Sequence, residues 1–254
     1  MLSRAESRLI HALHRRKARE TAGFFLAEGV RVAEELVRSS IDLRFAVIAT
    51  SLEDSARGSA LRGALTERCP VHVLPEHELR AQAATESPQG VLIVARVPDT
   101  RLADVTPGER STLLVSDGVQ DPGNLGTLIR VADAFAATAV ALLPGTVDPW
   151  NPKVVRSTAG SAFHLPIVQP AAGELFDWLD ARDYRVLGAD AAGSNAAELP
   201  SAPRSALVLG NEGAGLRAET RARVAQYVMI PMPGRAESLN VSVAAGILMY
   251  LLTR

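Results

Sequence analysis

Three stretches of the sequence concentrate the residue types that can hold a polar ligand and move a group or a proton. The first is Ser116-Asp117-Gly118-Val119-Gln120-Asp121-Pro122-Gly123-Asn124-Leu125-Gly126, which leaves an apolar run, turns through Pro and Gly and enters a helical pattern carrying Arg130. Asn124 stands six positions before Arg130, under two helical turns, so both can face one pocket at the helix start. A plainer reading makes Asn124 a helix cap and Arg130 a surface side chain. The second is Leu207-Val208-Leu209-Gly210-Asn211-Glu212-Gly213-Ala214-Gly215-Leu216. Its glycines would let backbone amides come close to a ligand. Its order, G-x-x-G-x-G, matches neither the dinucleotide loop nor the P-loop, and Glu212 would repel a phosphate. A neutral or cationic ligand, or an arginine, suits it better. The third is Ile230-Pro231-Met232-Pro233-Gly234-Arg235-Ala236-Glu237-Ser238-Leu239-Asn240-Val241-Ser242, where a rigid Pro-x-Pro-Gly bend delivers Ser238 and Asn240 to the start of an apolar helix.

Such loops must be placed by strands, and the pattern of the chain supplies them. From about residue 111 short apolar runs alternate with helical stretches: strands at Thr112–Val115, Ala139–Leu143, His164–Val168, Arg185–Ala189, Ser205–Leu209 and Val228–Ile230, and helices at Asn124–Phe135, from Asn151, at Leu175–Ala181, Leu216–Arg223 and Asn240–Leu252. Strands alternating with helices predict an α/β fold with a parallel sheet covered on both faces. In such sheets ligands bind where the strands end, so loops following three strands can converge on one site. The front of the chain alternates too. Strands at Phe24–Leu26, Phe45–Ala49, Val71–Leu74 and Gly90–Ala95, with helices at Gly29–Arg38, Ala60–Arg68 and His77–Ala84, predict a smaller α/β domain. The proline-bearing segment between them reads as a linker, giving domains 1–95 and 111–254 joined by 96–110.

Composition narrows the classes. With 254 residues, 47% hydrophobic and 22% charged, the chain is globular, neither fibrous nor disordered. No apolar run approaches the roughly 18–20 residues of a membrane helix, and the N-terminus, with Arg4, Glu6 and Arg8 close together, lacks a signal peptide's apolar core, so a cytoplasmic protein is expected. The single Cys69 cannot make an internal disulfide, and His72 and His77 have no ligand-like spacing, so no metal is expected. The formal net charge of -1 hides a local excess: Ser3 to about Arg19 reads as one amphipathic helix, apolar at Leu9, Ile10 and Leu13, with Arg4, Arg8, Arg15, Arg16, Lys17 and Arg19 on the rest. That face is either simply solvated or an RNA contact made by Arg15, Arg16, Lys17 and Arg19.

The three loops, in this order, resemble the three motifs of the SpoU (TrmH-like) ribose methyltransferases, a branch of the trefoil-knotted, S-adenosylmethionine-dependent RNA methyltransferases. The matching residues are Asp121-Pro122-Gly123-Asn124-Leu125-Gly126 with Arg130, then Leu209-Gly210-Asn211-Glu212-Gly213, then Ile230-Pro231-Met232 with Ser238-Leu239-Asn240-Val241-Ser242. In front, Gly23-Phe24-Phe25-Leu26-Ala27-Glu28-Gly29 resembles the start of the substrate-binding domain these enzymes often carry, itself similar to a ribosomal-protein fold. The resemblance implies a deep trefoil knot, a homodimer, a cofactor held by Leu209, Gly210, Ile230 and Leu239, and methyl transfer to an RNA ribose 2′-hydroxyl. Arg130 would activate that hydroxyl with the substrate phosphate, while Asn124, Glu212, Ser238 and Asn240 complete the pocket. Since a guanidinium is not deprotonated in proteins, a phosphate clamp suits Arg130 better than a free base. By analogy with the family, whose minimal transfer-RNA members have short extensions, the large front domain favours ribosomal RNA, with a transfer-RNA 2′-O-methyltransferase as the alternative. The competing readings are a non-catalytic RNA-binding module on the same fold, disfavoured because every polar position is filled, and a nicotinamide oxidoreductase, which lacks the G-x-G-x-x-G loop.

Overall fold

The computed structural model describes residues 2–83 and 88–254, which form two compact units. The first comprises residues 1–99 and 148–164, and the second 100–147 and 165–254.

The first unit opens with α1 (Arg4–Leu13), whose start is fixed by a capping box: Ser3 Oγ accepts from Glu6 N, and Glu6 Oε2 accepts from Ser3 N at 2.8 Å. The single helix predicted here is two, because the chain turns at His14 and Arg15 before α2 (Arg16–Ala22). Gly23, at φ +69°, ends α2 in the left-handed conformation and releases the chain into β1 (Phe24–Glu28). There follow α3 (Val30–Arg38), β2 (Leu43–Ala49), α4 (Ala56–Arg68), β3 (Val71–Leu74), α5 (Glu76–Gln82) and β4 (Val91–Arg96). Ala84, the expected end of α5, lies outside the described residues. The strands form one mixed sheet in the order β1-β4-β2-β3, with only β2 and β3 parallel. Ile10 and Leu13 of α1 and Leu79 of α5 pack on Phe24, Leu26, Phe45 and Val94 of the sheet.

The second unit continues with β5 (Ser111–Asp117), α6 (Pro122–Ala134) and β6 (Ala139–Leu142). The expected linker is partly core here: Leu102 and Val105 are buried with Leu113 and Val115, and the unit boundary lies between Asp99 and Thr100. After β6 the chain returns to the first unit for α7 (Pro152–Ser157), where Trp150 stacks on Phe25 with centroids 4.8 Å apart and Arg156 meets the buried Glu28 at 3.4 Å. Then come β7 (Ile167–Val168), α8 (Ala172–Asp180), β8 (Arg185–Asn195), β9 (Arg204–Gly210), α9 (Ala218–Arg221), β10 (Gln226–Met229) and α10 (Val241–Thr253). All six strands are parallel, in the order β10-β8-β9-β5-β6-β7. The central strands β5 and β9 are buried almost throughout, as a strand covered on both faces must be. β10 lies at the sheet edge, yet α10 packs on α6 and on the central β9, so the third loop carries the chain back towards the middle of the sheet.

Candidate active site

Residues following β9 and β10 line a cleft of about 410 Å³, within the range of about 300–1,000 Å³ usual for small-molecule sites. Leu209, Gly210, Glu212, Ile230, Ser238, Leu239 and Asn240 all line it, so seven of the residues singled out in the second and third loops face one space. Asn124 and Arg130 do not line it. Asn124 reaches its edge through hydrogen bonds: its Nδ2 donates to Glu212 Oε1 at 2.9 Å, and its Oδ1 accepts from Asn240 Nδ2 at 2.9 Å. Its neighbour Asp121 is the actual cap of α6, accepting from Asn124 N at 2.8 Å, and this leaves the Asn124 side chain free to join all three loops.

Arg130 departs from the expectation that it shares a pocket with Asn124. Six residues advance a helix about 9 Å and turn it through about 600°, leaving the two side chains roughly 120° apart around the axis. Arg130 is exposed on α6 and takes no part in the Asn124 network.

Glu212 is the centre of that network. Burial pushes its carboxyl up, but hydrogen bonds from the Asn124 amide and the backbone N–H groups of Glu212, Gln120 and Asp121 prevail and hold it below the usual carboxylate range. It is therefore an anion at neutral pH and a fixed acceptor.

Sequence reasoning passed over four residues that shape the loops. Asn211 folds the second loop on itself: its backbone exchanges two hydrogen bonds with Gly215, each 3.0 Å, its Oδ1 accepts from Gly213 N and Ala214 N, and its Nδ2 donates to Gly118 O at 2.9 Å. Ser242 Oγ donates to Asn124 O at 3.1 Å. The fully buried Asp117 accepts from Arg217 Nε at 2.5 Å and Arg217 N at 2.9 Å, tying the end of β5 to the start of α9. Asp117, Asn211 and Ser242 stand inside the three loops, and only their partners were invisible in the sequence. Arg217 lies just beyond the second loop, and nothing local marks it as the partner of Asp117, 100 residues away.

A fourth loop also reaches the cleft. β8 pairs with β10 at Gln226↔Leu187 and Tyr227↔Gly188, and the register then jumps to Val228↔Ser194. Residues 189–193 are thereby looped out, and Ala189, Asp190 and Ala191 line the cleft. A Cβ on Gly193 would lie 2.5 Å from Val228 N, so glycine is needed where the strand rejoins. The sequence signal was Gly188-Ala189-Asp190-Ala191-Ala192-Gly193 at a strand end.

The walls suit a nucleoside with a cationic side chain. Leu209, Val228, Ile230, Leu239 and Leu248 supply apolar surface, Asp190, Glu212 and Glu237 supply carboxylates, and no Lys, Arg or His is among the lining residues described. A pyrophosphate would be repelled, which argues against a nicotinamide dinucleotide.

The predicted RNA-contact residues divide. Arg15, Arg16 and Lys17 are exposed. Arg19 is 3% exposed, donates to Asp148 Oδ2 from Nε at 2.8 Å and to Leu13 O at 2.7 Å, and is removed from the RNA-binding surface. Its periodic place in the basic pattern could not reveal that Asp148, 129 residues away, would bury it.

Comparison with known proteins gives this geometry its class. The model of the SpoU rRNA Methylase family matches residues 111–250, and that of the MRM3-like substrate binding domain matches residues 7–93. The chain belongs to the SpoU rRNA methylase family, and its fold class is the knotted α/β one with a smaller α/β domain in front. It is 38% identical over 239 residues to the 23S rRNA (guanosine(2553)-2'-O)-methyltransferase RlmP of Bacillus subtilis, covering 94% of this chain and 92% of that protein. It is 32% identical to the 23S rRNA (uridine(2479)-2'-O)-methyltransferase of Streptomyces viridochromogenes, over 94% of this chain and 85% of that one. The crystal structure of the SpoU methyltransferase AviRb from Streptomyces viridochromogenes in complex with the cofactor AdoMet has a TM-score of 0.89 at 30% identity, covering 98% of this chain and 97% of that chain.

Proposed function

We propose that this protein is an S-adenosylmethionine-dependent methyltransferase acting on a ribose 2′-hydroxyl of RNA, with ribosomal RNA as substrate. The observation that carries the reading is the cleft whose phosphate-repelling lining meets an Asn124–Glu212–Asn240 network built from three separate loops. When bound, the cofactor supplies an electrophilic methyl group on a sulfonium. The chain's own task is to align the acceptor with that methyl and to assist loss of the hydroxyl proton.

Each residue then has a part. Leu209, Gly210, Ile230 and Leu239 hold the cofactor along the cleft wall. Glu212, fixed as an anion, keeps Asn124 and Asn240 oriented, and with Ser238 they complete a polar edge for the incoming ribose. Arg130, outside the cleft of its own chain, clamps the substrate phosphate with its planar fork, so that the phosphate or a water takes the proton. The exposed Arg15, Arg16 and Lys17 of the first unit add affinity for RNA phosphates.

Along α10, Val243, Ile247 and Tyr250 are 51%, 37% and 57% exposed at helical spacing, an apolar stripe that a second copy of the chain covers in a homodimer. No helix of the described residues is long and apolar enough to cross a membrane. Work on a ribosomal RNA substrate supports a cytoplasmic protein. The test is a map of ribose methylation across ribosomal RNA with and without the gene. One 2′-O-methyl site lost on deletion and restored by the wild type, but not by Arg130→Ala, is expected, and an unchanged map would reject the substrate assignment.

A further inference from the structure

The donor and the product of this reaction share a nucleoside and an amino-acid tail, and differ at sulfur by one methyl and one positive charge. A cleft that tells the two apart can do so by that charge, and the described lining carries carboxylates and no Lys, Arg or His. Three carboxylates line it, those of Asp190, Glu212 and Glu237. Glu212 is committed to the donors of Asn124, Gln120 and Asp121. Glu237 is exposed in the third loop. Asp190 differs from both. It is half-buried in the looped-out segment of β8, and its Oδ1 accepts from Ala192 N at 3.0 Å, which fixes the side chain through one carboxylate oxygen only. β8 also lies between β9 and β10, so its loop stands between the two loops assigned to the cofactor.

Resting on the methyl-donor reading above, we infer that Asp190 gives the cleft its preference for the cationic sulfonium donor over the neutral thioether product. A fixed negative charge among apolar walls is poorly solvated, and a cation beside it relieves that cost while a neutral sulfur does not. The carboxylate thus acts as a specificity-determining group, favouring exchange of product for fresh donor.

Isothermal titration of the full-length protein with S-adenosylmethionine and with S-adenosylhomocysteine reads this directly, without RNA or turnover. The wild type is expected to bind the donor about tenfold tighter than the product, and raising salt from about 0.05 to 0.5 M should shrink that ratio by screening. Asp190→Asn keeps an acceptor for Ala192 N, so the loop is retained. It should bring the ratio close to one, leaving product affinity within about threefold. An analogue with an amine-bearing carbon in place of the sulfonium should follow the donor, not the product. Equal weakening of donor and product by Asp190→Asn would overturn the inference, because the residue would then hold a part common to both. So would a wild-type ratio indifferent to salt, a measurement that needs no variant to fold. Binding of neither ligand by the wild type would instead defeat the methyl-donor reading itself.

Discussion

Adding a single methyl group at Gly210 should cost most of the cofactor affinity, and for a reason different from the one its loop suggests. A Cβ built there lies 2.4 Å from the Gly215 carbonyl carbon, 2.6 Å from Leu216 N and 2.7 Å from Gly215 O. An ordinary carbon–carbon separation is about 3.5 Å, so the backbone at residues 215–216 must retreat by roughly 1 Å. It is held against the strand by the two 3.0 Å hydrogen bonds between Asn211 and Gly215. Losing both costs about 1–3 kcal/mol, and overpacking adds about 1–3 kcal/mol, for a total of about 2–6 kcal/mol. If the displaced turn must be driven back into place for the cofactor to bind, that cost falls on binding, and at about 1.4 kcal/mol per decade its lower end weakens S-adenosylmethionine by about 30-fold. The control is Gly213→Ala in the same loop, where the nearest atom to a Cβ is Asn211 Oδ1 at 3.7 Å and φ is not positive. Calorimetry on both variants, with thermal unfolding to confirm that each folds, is the assay. If Gly210→Ala binds within about threefold of Gly213→Ala, the hydrogen-bonded turn is not what shapes the cleft.

Four other outcomes follow from the same geometry. Arg130→Ala should keep cofactor affinity and lose about 100-fold or more in methyl transfer, with Arg130→Lys also poor because a point charge replaces a fork; full transfer by the lysine variant would reject the bidentate clamp. Replacing Arg15, Arg16 and Lys17 by Ala should flatten the salt dependence of RNA binding by about 0.7 for each phosphate no longer neutralised, if the RNA there is single-stranded, and leave thermal stability unchanged. Arg19→Ala should do the reverse, lowering stability by about 3–5 kcal/mol through the stranded Asp148; a stable variant with a flatter salt slope would return Arg19 to the RNA surface. Finally, the Glu212 carboxylate is held below its unfolded pKa of about 4.3, so the stability it lends the loops is complete above that pH and is lost as pH falls through the folded value. Cofactor affinity should therefore be flat through neutrality and drop only in acid, and Glu212→Gln should remove that acid limb; an inflection in the wild type near neutral pH would show that a different group titrates.

The sequence by itself determined the alternation of strands and helices, the parallel character of the larger sheet and the three loops at its strand ends, because hydrophobic period, glycine and proline are local properties. It also carried the family resemblance, since the loop residues lie contiguous along the chain. Tertiary structure alone decided what those residues touch. Asn124 proved to be a hub and not a cap because Glu212 and Asn240, 88 and 116 residues away, arrive at its amide. Residues 148–164 joined the first unit because Trp150 found Phe25 and Asp148 found Arg19, and the basic pattern of α1 and α2 could not show that one of its arginines would be buried. Asp190 entered the cleft through a register jump between β8 and β10, which no periodicity records. Hydrogen bonds and ion pairs act over about 3 Å in space whatever their separation in sequence, so a single chain reveals the groups that can pair, and the fold selects the partners.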